Sequence, residues 1–119
     1  MKKLITPAAL AMVIALVGCS SDAVHANNNR ALKSSVDNIK RRLPKEQFIE
    51  FETALWSLKG PGPIDDQFRD TVDGKTPYEI IEMAKENFKQ KKAAGDQNFA
   101  QYESWQAMVE EIIESRKNE

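Results

Sequence analysis

The chain is poor in the residues that carry most covalent and metal chemistry. It holds one cysteine, Cys19, and one histidine, His25, among 119 residues. A single cysteine excludes an intrachain disulfide. Zinc centres need several Cys, His and carboxylate ligands together, and no such cluster is present. Catalysis through a thiolate or imidazole needs that group fixed beside a partner, whereas His25 sits in the polar tract Ser20–Asn29, which has no apolar period. The five glycines are scattered, so there is no glycine-rich phosphate loop. There is also no excess of positive charge: the formal net charge is -1. General nucleic-acid binding neutralises phosphates with surplus Lys and Arg and is not expected here.

What is present suits one small globular domain. The composition is 41% hydrophobic and 29% charged, which excludes a disordered chain. The length allows a single domain.

The first 19 residues form a targeting pattern. Lys2 and Lys3 give a short positive start, and Leu4 to Val17 is apolar apart from Thr6 and Pro7. As a helix, Leu4 to Gly18 would reach about 22 Å, short of the ~30 Å hydrocarbon core. The polar Ser20-Ser21-Asp22 follows at once. A signal peptide over residues 1–18 is therefore expected rather than a membrane span. The tetrad Leu16-Val17-Gly18-Cys19 resembles the lipobox of bacterial lipoproteins. That resemblance implies cleavage before Cys19, where the small Gly18 admits a peptidase, and diacylglyceryl (palmitate-type) modification of the Cys19 thiol. More than one acyl chain anchors a protein stably, because each buried CH₂ contributes ~0.8 kcal/mol. The sorting rule of Gram-negative lipoproteins implies that Ser20 does not signal inner-membrane retention. The expected location is then the outer membrane, facing the periplasm. Loss of residues 1–18 leaves 15 Lys and Arg against 18 Asp and Glu, a net charge of -3.

Residues 19–29 are expected to act as a lipidated cysteine and flexible tether, and residues 30–117 as a helical domain. From Arg30 the apolar period is near 3.6. Leu32, Val36, Ile39 and Leu43 mark a first helix that ends near Pro44. Phe48, Phe51, Leu55 and Leu58, widened by Ile49 and Trp56, mark a second from about Lys45 to Lys59, stopped by Gly60. Ile64, Phe68 and Val72 predict a short helix. Thr76-Pro77-Tyr78-Glu79 is a capping box that opens a helix carrying Ile80, Ile81, Ala84 and Phe88. Gly95 stops it and Asp96 can cap the next. Phe99, Tyr102, Trp105, Met108, Val109, Ile112 and Ile113 predict one last helix over 97–116. No segment alternates with period two for long enough to form a strand. The fold class predicted is all-α: a small bundle of four main helices plus one short helix.

Phe51-Glu52-Thr53-Ala54-Leu55 and the corner Asp73-Gly74-Lys75-Thr76-Pro77-Tyr78-Glu79-Ile80-Ile81 resemble a family of small uncharacterised proteobacterial lipoproteins. In that family a lipobox and tether precede a short helical domain. The resemblance implies an anchored helical domain and supplies no catalytic residues.

Three groups of side chains are candidates for function. Asp65, Asp66, Asp70 and Asp73 cluster about the short helix, but their spacing departs from the EF-hand order. A solvated acidic face is the simpler reading, as it is for Glu110, Glu111 and Glu114 on the last helix. Lys40, Arg41, Arg42 and Lys45 form a basic group where the first two helices meet, a candidate interaction surface for headgroup phosphates or a partner, although solubility is the simpler reading. Trp56 and Trp105 are candidate partner anchors, although their places on or beside helical stripes favour core packing. No metal and no cofactor is expected. The expected function is a non-enzymatic, membrane-anchored binding module with an unidentified envelope protein partner. An inhibitor or immunity-type lipoprotein is the alternative, and a carboxylate-dependent hydrolase ranks last.

Overall fold

The computed structural model describes residues 23–117, so the expected signal peptide (1–18) and the expected lipidation site Cys19 lie outside the described residues. Within them the protein is all-α, with six helices and no strand. We label them α1 (Asn29–Arg42), α2 (Lys45–Lys59), α3 (Asp66–Val72), α4 (Pro77–Ala93), α5 (Gln97–Ala100) and α6 (Trp105–Arg116).

The helix ends follow local side-chain chemistry. Asn28 caps α1 by accepting from the Ala31 amide at 2.8 Å. Thr76 and Glu79 form the reciprocal capping box of α4, with the Thr76 amide donating to Glu79 at 2.9 Å and the Glu79 amide to the Thr76 hydroxyl at 3.2 Å. Pro77 takes the first turn, where its missing N–H costs nothing. Asp96 caps α5 through the Asn98 amide, as its position after Gly95 predicts. Gly60, at the end of α2, adopts φ +70°, a conformation that favours glycine.

Helix α2 is the hub. It has its most extensive contact with α4 and also packs on α6 and α1. It therefore buries more than the stripe visible in its apolar spacing. Phe48, Ile49 and Phe51 are buried, and so are Ala54 and the small polar Thr53 and Ser57. Asn87 of α4 donates to the Ser57 carbonyl and hydroxyl, each at 3.3 Å, which satisfies that polar pair inside the helix interface. No buried side-chain polar atom among the described residues lacks a partner. Ile80, Ala84 and Phe88 from α4, Met108 and Val109 from α6, and Phe68 and Val72 from α3 complete the core.

Three sequence expectations need correction. The chain is not a free spacer as far as Asn29. Val24 and Ala26 are buried in the core, at 0% and 1% exposure. The Val24 amide donates to the Lys75 carbonyl at 2.8 Å, and the Gly74 amide donates back to the Val24 carbonyl at 2.7 Å. The His25 amide donates to the Ser35 hydroxyl, and the Ala26 amide to the Asp73 carboxylate at 2.7 Å. A short strap, Val24–Ala26, is thus pinned across the Asp73–Lys75 corner. Its sequence hides this because three residues with two small side chains show no period.

The single last helix is two. The chain breaks between Ala100 and Trp105, with Ser104 capping α6 through the Ala107 amide at 3.0 Å. Phe99 and Trp105 both meet the Phe88 ring edge-on, at centroid distances of 5.8 and 6.1 Å. On one unbroken helix, six positions would set them about 120° apart and about 9 Å along the axis. The break lets both rings reach the same partner. Lys92 stabilises it by donating to the Tyr102 carbonyl at 2.6 Å and the Ala100 carbonyl at 3.3 Å. Ile64, finally, precedes α3 and is exposed rather than part of its buried stripe.

Phe51 is fully buried in the hub helix. Truncation to alanine removes a large side chain from the centre of the packing, and Phe51→Ala should destabilise the domain by about 3–5 kcal/mol. Urea unfolding followed by far-ultraviolet circular dichroism measures this. A loss below about 1 kcal/mol would contradict the hub packing.

Candidate interaction surfaces

The acidic group about α3 is divided among structural tasks. Asp65 caps α3 by accepting from the Phe68 amide at 2.9 Å. Asp66 pairs with Arg69, whose guanidinium also donates to Asn29 at 2.6 Å. Asp73 accepts the strap amide of Ala26. Asp70 is exposed and its carboxylate makes no hydrogen bond or ion pair among the described residues. No three His, Cys, Asp or Glu side chains among the described residues converge in a way that would hold a metal ion. Three of the carboxylates are therefore accounted for by a cap, a local ion pair and the strap.

The basic group at the α1–α2 junction is exposed throughout. The Lys40 ammonium lies 5.8 Å from the centroid of the Phe48 ring, a cation–π distance. Arg41 donates to Asn38. Lys40, Arg41, Arg42 and Lys45 gather where the chain turns from one helix to the next. The strap that precedes α1 folds back along it to Ser35, so this junction lies about half of α1, roughly 10 Å at ~1.5 Å per residue, beyond the strap contact.

The two tryptophans part company. Trp105 is buried at 6% exposure, and its indole N–H donates to Glu50 of α2 at 2.8 Å. Trp56 is 47% exposed, which corrects the expectation of core packing for this residue. It follows Leu55 by one position, about 100° around the helix, and this turns it off the face that contacts α4. Its ring still meets Phe99 at 6.0 Å. Trp56, Phe99, Phe88 and Trp105 therefore form a continuous aromatic row from solvent into the interior. Such tilted and edge-on pairs each add ~0.5–1.5 kcal/mol beyond area burial.

Beside the inner end of this row lies a groove of about 510 Å³ between α4 and the start of α6. Phe88, Ala93 and Trp105 give it apolar walls, with Lys85, Lys89, Lys92 and Glu103 around them. Its cations are already engaged. Lys85 pairs with Glu82 at 3.3 Å and Lys89 with Glu86 at 3.8 Å, while Lys92 donates to backbone carbonyls. The groove is thus an apolar notch with locally balanced charge rather than an anion site.

Among the described residues no helix is long and apolar enough to cross a membrane. No family model, curated protein or solved structure matches the chain.

Glu50 matters to the aromatic row because it satisfies a buried donor. Glu50→Ala should leave the Trp105 N–H without its partner and cost about 1–3 kcal/mol. Glu50→Gln, which keeps an acceptor, should recover most of that loss. Thermal unfolding of both variants, with Trp105 emission read in a Trp56→Phe background, tests this. Wild-type stability in Glu50→Ala would show that the bond contributes nothing.

Proposed function

We propose that this chain is a lipid-anchored, non-enzymatic helical module of the bacterial cell envelope that binds another envelope protein. The observation that carries the reading is the tetrad Leu16-Val17-Gly18-Cys19 placed directly after a positive start and an apolar run. A peptidase cut before Cys19 and acylation of its thiol would hold the domain at a bilayer, with the outer membrane's periplasmic face as the proposed location. The resemblance of the Phe51–Leu55 and Asp73–Ile81 segments to small proteobacterial lipoproteins supports the same placement.

For binding, the support is the exposed aromatic end of the row. A half-exposed tryptophan backed by Phe99 presents a large rigid apolar surface at low entropic cost, the kind of side chain that dominates interface energetics. The basic junction Lys40, Arg41, Arg42 and Lys45 is the proposed second contact, suited to an acidic partner surface. Nucleic acid is not a proposed partner, and no cofactor is invoked.

The experiment is crosslinking in cells, affinity capture of the mature protein and mass spectrometry of what it carries. Wild-type protein should fractionate with membranes and bring down one dominant envelope protein. Cys19→Ser should stay uncleaved, lose the acyl label and lose that partner. Trp56→Ala should keep the anchor while weakening the partner by about 2 kcal/mol or more, roughly 30-fold in affinity. If the partner proves to be a lytic enzyme or toxin, the module acts as its inhibitor. Acyl labelling that persists in Cys19→Ser would overturn the anchor, and capture unchanged by Trp56→Ala would remove Trp56 from the interface.

A further inference from the structure

The strap changes how far the domain can stand from its anchor, and it also sets which end stands nearest. A spacer free from Ser20 to Asn29 would reach about 35 Å and leave the domain free to tumble. Instead the chain becomes part of the folded body at Val24. That residue is 0% exposed and exchanges two backbone hydrogen bonds with Gly74 and Lys75. Ser35 and Asp73 fix the next two amides. From Cys19 to Val24 there are five residue steps, a span of at most about 18 Å whatever its conformation. The strap therefore lies within that span of Cys19, and it sits at the Asp73–Lys75 corner, where α4 begins.

Helix α4 then defines a near end and a far end. Its 17 residues cover about 25 Å. The corner stands at its N-terminus. The Phe88–Trp105 groove, α5 and the Phe99 contact of Trp56 all belong to its C-terminal half or beyond. A leash shorter than this helix keeps its point of attachment within about 18 Å of the bilayer, and with α4 upright its opposite end stands about 25 Å farther out.

We infer that the face formed by the Val24–Ala26 strap and the Asp73–Lys75 corner lies against lipid headgroups, holding the aromatic row and its groove toward the aqueous side. This rests on lipid attachment at Cys19. The occupant of the face is the phospholipid surface itself, selected by chain length rather than by charge. The strap face carries no surplus of cations, since the exposed His25 and the half-buried Lys75 stand beside Asp73. The orientation is therefore insensitive to salt.

The test uses the acylated mature protein, purified from membranes and reconstituted in phosphatidylcholine vesicles with a short-range quencher on the lipid headgroup. With Cys19 acylated, one new cysteine gives one fluorophore. Lys75→Cys reports the corner and Asn98→Cys reports the exposed α5 end. Quenching at position 75 should exceed that at position 98 severalfold and stay so in high salt. Adding Val24→Asp and Asp73→Ala should release the strap, lengthen the leash and bring the two labels toward equal quenching, with circular dichroism confirming that the helices persist. Equal quenching of both labels in the intact strap, on protein that floats with the vesicles, would overturn the orientation while leaving the anchor in place. Protein that carries no acyl group and does not float would overturn the anchor, and the orientation with it.

Discussion

Everything in this fold depends on one helix being covered on most of its sides. Helix α2 meets α4, α6 and α1, and its buried positions run almost around the cylinder. A helix so placed needs large side chains where gaps must be filled and small ones where neighbours come close. Phe48 and Phe51 supply the first, Ala54, Thr53 and Ser57 the second. Burying hydroxyls at such a junction is tolerable only with partners, which is why Asn87 reaching across from α4 to Ser57 matters more than its two long hydrogen bonds suggest. Against that requirement the exposed ion pairs are minor. Even Arg116 with Glu52, which ties α6 to α2 at 2.6 Å, is about a third or more exposed on both sides and adds little beyond orientation.

The second constraint is local and sits at one corner. Between Val72 and Pro77 the chain must end one helix and begin the longest one among the described residues. It does so with Gly74 at φ +78° and the Thr76–Glu79 box. The same corner offers two backbone groups, a carbonyl at Lys75 and an amide at Gly74, to the Val24 backbone. The strap takes both, and the Asp73 carboxylate takes a third bond. A corner shaped by helix capping thereby becomes a receptor for the chain's own N-terminal side.

Much of this was legible in the sequence, and the failures share a cause. The capping box needs only four residues in a row, so it could be read without any tertiary knowledge. The stripes on α1 and α4 were equally legible, because each of those helices buries mainly one face. Helix α2 misled on Trp56 because a hub with several neighbours has no single stripe to continue. The break at residues 101–104 was hidden because it contains no Gly or Pro. It exists to bring Phe99 and Trp105 onto one ring, and Lys92, remote in sequence, supplies the donors that hold it. The strap was hidden for the same reason: its partners Ser35, Asp73, Gly74 and Lys75 lie 10 to about 50 residues away. Local rules reported what local chemistry decides. The strap and the break were set by distant partners.

Those two hidden features lie at opposite ends of α4, and that arrangement ties the fold to the proposed role. A module meant to meet a partner from a membrane surface must solve two problems, staying near the bilayer and keeping its contact side off it. A long flexible spacer solves neither, since the tethered body samples all orientations. Folding Val24–Ala26 into the core gives the proposed anchor a fixed place of attachment on the body, and the helix that starts beside it carries the aromatic cluster to its other end. The entropic cost of ordering three strap residues, about 1–2 kcal/mol each, is offset by burying Val24 and Ala26 and by four hydrogen bonds. Strap and aromatic row are then parts of one mechanical unit, in which the stiffness of α4 would set the distance between the proposed lipid side and the proposed binding side.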